Sequence, residues 1–172
     1  RISGHLTDRQ VVDVGRTHAA VLLRSRQRLG PVRVAVVSFS GSARTVTLKL
    51  IREGASRGEI DRPSLVADPS SDRAYVVGAL GEPVATIDLR TLAVSYRRPF
   101  RSAGATGLTG AERVTVWLGR HRFAVAGWDD GAPGNDSKLL GLRIVDTSSW
   151  RAQVLDPASD YVCVAGHSVV AH

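Results

Sequence analysis

The chain has 172 residues, of which 43% are hydrophobic and 23% charged, with a net charge of +7. This apolar content supports one cored domain and excludes wholesale disorder, and the apolar runs are far too short to cross a membrane as helices. The base is almost all arginine, 21 Arg against 2 Lys. It is scattered along the chain without a recognition helix or an aromatic–basic stripe, which argues against a nucleic-acid partner. Beginning at Arg1, lacking Met and stopping inside the apolar run "SVVAH", the sequence reads as a piece of a longer protein.

The periodicity along the chain is that of strands: alternating or short apolar runs bounded by Gly, Pro, Asp and Ser. A first group of four is predicted at "QVVDVG" (10–15), "HAAVLLR" (18–24), "VRVAVVSF" (32–39) and "TVTLKLI" (45–51). The segment "REGASRGEIDRP" (52–63) is expected to be a connection. A second group follows at "SLVAD" (64–68), "RAYVVGA" (73–79), "PVATIDL" (83–89) and "AVSYRRP" (93–99), and a third at "RVTVWLG" (113–119), "RFAVAGW" (122–128), "LGLRIVD" (140–146) and "RAQVLD" (151–156). "DYVCVAG" (160–166) and "HSVVAH" (167–172) begin a fourth.

The groups resemble one another. Arg73, Val76 and Gly78 align with Arg122, Val125 and Gly127, and Asp88, Thr91 and Leu92 align with Asp146, Ser149 and Trp150. Asp88 and Asp146 close a strand, where a carboxylate accepts backbone N–H groups of the next turn, and Thr91 and Ser149 add a hydroxyl there. Leu92 and Trp150 are expected to begin the outer strands. Gly78 and Gly127 are expected to let the chain leave the second strand sharply. A four-stranded sheet with two apolar faces cannot cover both alone, and radial stacking of copies covers each face with a neighbour. The expected fold is therefore all-β: a β-propeller of four-stranded antiparallel blades at about 9–52, 63–100 and 112–156, with the start of a fourth at 160–172. Three and a half blades leave the ring incomplete, so the segment by itself is expected to self-associate.

"SSDRAYVVGALGEPVATIDLRTLAV" (70–94) resembles a unit of the YVTN-type β-propeller repeat family, a WD40-like group of bacterial propellers. An Asp-rich turn leads into a Tyr-Val strand, then a strand ending in Ile-Asp, a Thr-Leu step and an outer strand. "RHRFAVAGW" and "LRIVDTSSWRAQVL" follow the same pattern around an insertion, while the first group lacks the Asp-x-x-Thr step. The resemblance implies a propeller, often of seven blades, in extracytoplasmic bacterial or archaeal proteins. It transfers no catalytic residue.

Strand order sorts the loops onto two faces. The second-to-third-strand loops and the connections between blades share one face, called here the loop end. Arg24, Arg26, Arg28, Arg52, Arg57, Arg62, Arg97, Arg98 and Arg101 fall on or near it, together with the Gly81–Glu82 loop. This face is where ligands or partners are expected, because loops vary on a rigid scaffold. The candidate ligand-binding residues are Arg24, Arg26, Arg28, Arg97, Arg98, Trp128, Asp129 and Asp130. Arg forks suit a protein or an anionic small molecule; Trp128 is either a ligand anchor or rim packing.

Asp129, Asp130, Asn135 and Asp136 in "GWDDGAPGNDSK" (127–138) are oxygen donors. Their spacing departs from the EF-hand pattern, so the loop reads as a polar hairpin extension and no metal or other cofactor is assigned. His18, His121 and His167 share the opposite face as turn residues, and Cys163 reads as a small strand hydrophobe. No nucleophile elbow, Walker loop or dinucleotide fingerprint occurs. The reading is a non-catalytic binding or scaffolding module. The alternative is part of a propeller enzyme, quinoprotein-dehydrogenase-like or lactonase-like, whose active site draws on further blades.

Overall fold

The computed structural model describes residues 12–23, 25, 28–56, 59–100, 108–131, 138–165 and 168–171. It is all-β among these residues. The first group comprises β1 (Val12–Val14), β2 (His18–Leu23), β3 (Gly30–Ser38) and β4 (Ala43–Ser56), followed by a short β5 (Glu59–Arg62). The second comprises β6 (Ser64–Asp68), β7 (Arg73–Val77), β8 (Val84–Asp88) and β9 (Val94–Arg97). The third comprises β10 (Leu108–Gly119), β11 (Arg122–Gly131), β12 (Lys138–Leu139), β13 (Leu142–Asp146) and β14 (Arg151–Asp156); β15 (Val162–Ala165) and β16 (Ser168–Ala171) form a final hairpin. Within each group, strands consecutive in the chain pair antiparallel, except that β11 pairs with both β12 and β13.

Period-2 alternation explains how these sheets pack, because neighbouring residues of one strand serve opposite faces. In β7, Ala74 and Val76 join Leu22, Val34, Leu48 and Ile87 in a core between the first and second groups. Tyr75 and Val77 on the same strand join Val84, Phe123, Val125 and Val145 in a core between the second and third. In β11 the division recurs: Phe123 and Val125 face the second group, while Ala124 and Ala126 pack with Leu142 and Val162 toward β15. Each fully buried Leu, Val or Phe contributes ~1.5–3 kcal/mol of hydrophobic stabilisation. The first strands of successive groups also touch in chain order, β1 to β6, β6 to β10 and β10 to β15. Polar bonds stitch two of these seams: the Ala67 amide donates to Asp13 at 2.6 Å, and the hydroxyls of Ser64 and Thr115 meet at 2.8 Å.

The Asp turns are built as their residue types dictate. Asp88 Oδ1 accepts the amides of Arg90 and Thr91 at 3.0 and 2.9 Å, and Asp146 Oδ1 accepts those of Ser148 and Ser149 at 2.9 and 2.8 Å. Leu92 and Trp150 do not begin the outer strands. Both sit in the left-handed region (φ 64° and 55°), donating to the carbonyls of Asp88 and Asp146, and the strands start at Val94 and Arg151. Their side chains pack into the first and second cores.

Three further expectations are corrected. The segment 52–63 is not a bare connection. β4 shifts register against β3 after Leu48, so that Arg52 and Glu53 pair with Pro31 and Gly30, and it then turns into β5. β5 runs parallel to β10, joining the first and third groups into one ten-stranded path, β1-β2-β3-β4-β5-β10-β11-β13-β14, with β12 on β11. Second, β10 begins at Leu108, so its start lies in the Gly-rich stretch before "RVTVWLG". Third, Gly127 does not end its strand. β11 continues to Gly131, and at φ 141° the missing side chain of Gly127 lets the Glu112 carbonyl lie against the backbone.

Candidate functional site at the loop end

The ends of β4, β5, β10 and β11 and the loop from β7 to β8 converge at one end of the molecule, and their charged residues meet there. Arg113 stands on β10 opposite Gly127, with Asp129 two residues further along β11. Its Nη2 donates to both carboxylate oxygens of Asp129, at 2.6 and 2.5 Å, and its Nη1 donates to the carbonyls of Trp128 and Glu112 at 2.6 and 2.9 Å. The two side chains are 1% and 0% exposed. Such a pair offsets its desolvation only because nearly every donor is used. Asp129 Oδ1 also accepts the Leu80 amide of the second group at 3.0 Å, so the pair fastens two sheets together.

A second cluster surrounds Arg52. Its guanidinium bonds Glu59, and its Nε lies 3.4 Å from Asp61 and 3.8 Å from Glu82. Glu82 accepts the amides of Arg52 and Ala79 at 2.9 and 3.2 Å, occupying space beside Gly78 that a side chain there would fill. Burial pushes the Asp61 carboxyl up to about 6 and that of Glu82 to about 7, against the pull of Arg52 on both. Arg143, on β13, has its pKa lowered by burial and by the charge of Arg113.

Between β10, β11 and the approach to β15 lies an open cleft of about 510 Å³. Arg62 and Glu112, register partners on β5 and β10, form one wall and are bonded at 3.1 Å. Trp128, Asp160 and Tyr161 form another, with Tyr161 half exposed.

The residues singled out from sequence are thereby placed. Trp128 lines this cleft, half-buried, while Asp129 lies inside the molecule with its oxygens committed to Arg113 and Leu80. Arg28, Arg97 and Arg98 are exposed; Arg97 donates to the Tyr96 carbonyl at 3.0 Å and Arg98 to that of Gly81 at 2.6 Å. Arg24, Arg26, Asn135, Asp136 and His167 lie outside the described residues, as does the side chain of Asp130. On the opposite face His18 begins β2 with Nδ1 3.5 Å from Asp72, and the His121 carbonyl accepts from Thr147. Glu82 lies in the loop that sequence places on this face, whereas Arg113, Asp61 and Glu112, which form its charge network, were not assigned roles from sequence. Arg113 begins the alternating run "RVTVWLG", a signal the sequence did offer, whereas Asp61 and Glu82 lie outside any apolar run.

Comparison with protein-family models, curated proteins and solved structures finds no match to this chain.

Proposed function

We propose that this chain is a segment of a β-propeller resembling the YVTN type, and that it works as a non-catalytic binding or scaffolding module. Its partner is a protein or an anionic small molecule engaged at the loop end. The propeller reading is supported by the packing order: successive antiparallel strand groups cover each other's faces and their first strands touch in chain sequence, with β5 adding a parallel link between the first and third groups. The binding reading rests on one observation. Arg52, Arg62 and Arg113 are paired with carboxylates, whereas among the described residues Arg28, Arg97 and Arg98 have no ion-pair partner and stand exposed at the same end. Exposed guanidinium forks on a rigid scaffold suit carboxylate or phosphate groups.

The test uses a polyglutamate peptide and inorganic phosphate as probes, titrated against the 172-residue chain at low and high salt. The expected result is salt-sensitive binding of at least one probe that falls tenfold or more in the Arg97→Glu/Arg98→Glu variant, about 1.4 kcal/mol. Binding unchanged by that charge reversal, or no binding of either probe, overturns the proposed face. The architecture is tested separately by imaging the full reading frame, where an open sandwich instead of blades about an axis would refute it.

A further inference from the structure

A pocket of about 300 Å³ opens between the second and third groups, away from the loop end. It lies where their shared core stops. Residues 73, 75 and 77 of β7 and residues 84, 86 and 88 of β8 fall on one face by period-2 alternation. Toward the loop end that face is apolar, with Val77 and Val84 in the core that holds Phe123 and Val125. Toward the other end it turns polar. Tyr75 pairs with Thr86 and Thr86 with Ser95 across one rung, and Arg73 pairs with Asp88 on the next rung of that face. The third group closes the pocket with Thr147 and Trp150, from the turn after β13.

Part of this lining is structural. The Arg73–Asp88 rung recurs as Arg122–Asp146 in the third group, and Asp88 Oδ1 serves the amides of its own turn. The neighbouring rung does not recur. Its counterpart in the third group is Ala124, Ile144 and Gln153, which carries no hydroxyl. Thr86 stands where Val would fill the same space, yet its Oγ1 is buried and has no hydrogen-bond partner among the described residues. A buried hydroxyl without a partner is unfavourable, and a ligand that bonds it removes the penalty.

The lining also defines a ligand class. Arg73, exposed at the start of β7, acts on Asp88 through its charge and bonds no carboxylate among the described residues. Arg73 only donates hydrogen bonds and Asp88 only accepts them, while the hydroxyls of Thr86, Ser95 and Thr147 do both. An anion here would meet Asp88, and a cation would meet Arg73. An uncharged ring bearing several hydroxyls satisfies donor and acceptor together. Trp150, half-buried in the same wall, offers the apolar surface for its C–H groups. The volume is at the lower end of the range for small-molecule sites, about 300–1,000 Å³, which suits one ring and not a chain of them.

We propose that this pocket binds a single uncharged sugar ring, with Arg73 donating to its hydroxyls, Asp88 accepting from them, Thr86 bonding a further hydroxyl and Trp150 packing against its C–H surface. The site stands apart from the loop end and does not depend on what binds there.

The test titrates glucose, galactose, mannose and N-acetylglucosamine into the 172-residue chain, with inorganic phosphate and tetramethylammonium as charged probes, followed by amide-shift NMR. At least one sugar is expected to bind saturably, with a Kd of about 10 mM or tighter, and to shift the amides of residues 73–75, 86–88 and 147–150. Arg73→Ala is expected to weaken that binding about tenfold, and Thr86→Val about threefold or more. Thr86→Val should at the same time leave the unfolding midpoint undiminished, since it deletes a buried hydroxyl that the protein itself does not bond. Arg122→Ala, on the matching rung of the third group, is expected to leave sugar binding unchanged. No saturable sugar binding, sugar binding untouched by both pocket variants, or phosphate or tetramethylammonium held at these residues more tightly than every sugar would each overturn the proposal. If a variant fails to fold, the native chain still decides: saturable sugar shifts that avoid these three segments refute the site.

Discussion

Asp129→Asn is the most informative single change. It keeps the shape of the side chain but removes the charge facing Arg113, whose Nη2 donates to both oxygens of Asp129 from a position 1% exposed. Breaking one side of a buried ion pair is worth about 3–5 kcal/mol, because the remaining charge is left in a low-dielectric interior. If the new amide turns its nitrogen toward Leu80, the loss of that acceptor adds ~1–3 kcal/mol. Against a stability of ~5–15 kcal/mol this is a large share. Guanidinium unfolding at fixed chain concentration, followed through Trp117, Trp128 and Trp150, measures it. The companion variant Arg113→Met/Asp129→Leu removes both charges and is expected to recover most of the loss, since a packed apolar pair replaces an expensive ionic one. An Asp129→Asn midpoint that corresponds to a loss below about 1 kcal/mol, or a double variant as unstable as the single one, would refute the view that an uncompensated buried charge is what destabilises the chain.

Gly127→Ala is expected to lose at least ~2 kcal/mol by the same assay, because a side chain at φ 141° would be driven into the Glu112 carbonyl, a backbone atom that cannot step aside; a neutral result would mean that β10 and β11 can part locally. Tyr75→Ala is expected to cost about 3–5 kcal/mol and to change the emission of Trp117 and Trp150, since the Tyr75 ring lies 5.9 and 6.1 Å from theirs and 5.6 Å from Phe123. Acid should also destabilise the chain. Hydrogen bonds outweigh burial in Asp68 and Asp72 and dominate in Asp88, holding all three carboxyls below the ordinary value of 3.8. Their contribution is present above that value and lost as pH falls through the lowered ones, so unfolding midpoints should drop below about pH 4. Sedimentation velocity should show concentration-dependent self-association, since Val154, Leu155, Tyr161 and Val170 are each about half exposed; a single monomeric boundary at all concentrations would count against it.

The strands were legible because alternation is a local signal. "RAYVVGA" and "RFAVAGW" read as strands since their small and large apolar residues serve two faces, and both faces are covered. The Asp88 and Asp146 turns were legible for the same reason: the acceptor and the amides it caps lie within three residues of each other. β5 was not. "EIDR" carries only Ile60 as an apolar residue, and that side chain is 39% exposed. Its strand geometry comes from backbone pairing with residues 54–56 on one side and 110–112 on the other, and pairing across some fifty residues leaves no mark in hydrophobic pattern.

The same distinction explains the site. Sorting loops by strand order brought the arginines to one end, and Arg52, Arg62 and Arg98 do meet partners there. What each guanidinium meets depends on register. Arg62 reaches Glu112 because β5 and β10 run parallel with those two residues opposite. Asp129 turns inward because Gly127, two residues earlier, admits the Glu112 carbonyl and keeps β11 on β10 through the segment that sequence reads as a loop. A carboxylate in a Gly-rich stretch looks like a surface donor until the strand is seen to continue through it. Once it continues, Asp129 is carried into the interior, and a buried carboxylate needs a cation; Arg113, on the neighbouring strand, supplies it. At the loop end Arg28, Arg97 and Arg98 stay exposed, Arg97 and Arg98 bonding backbone carbonyls and not carboxylates. Availability for a partner is thus set by pairing register more than by the number of arginines.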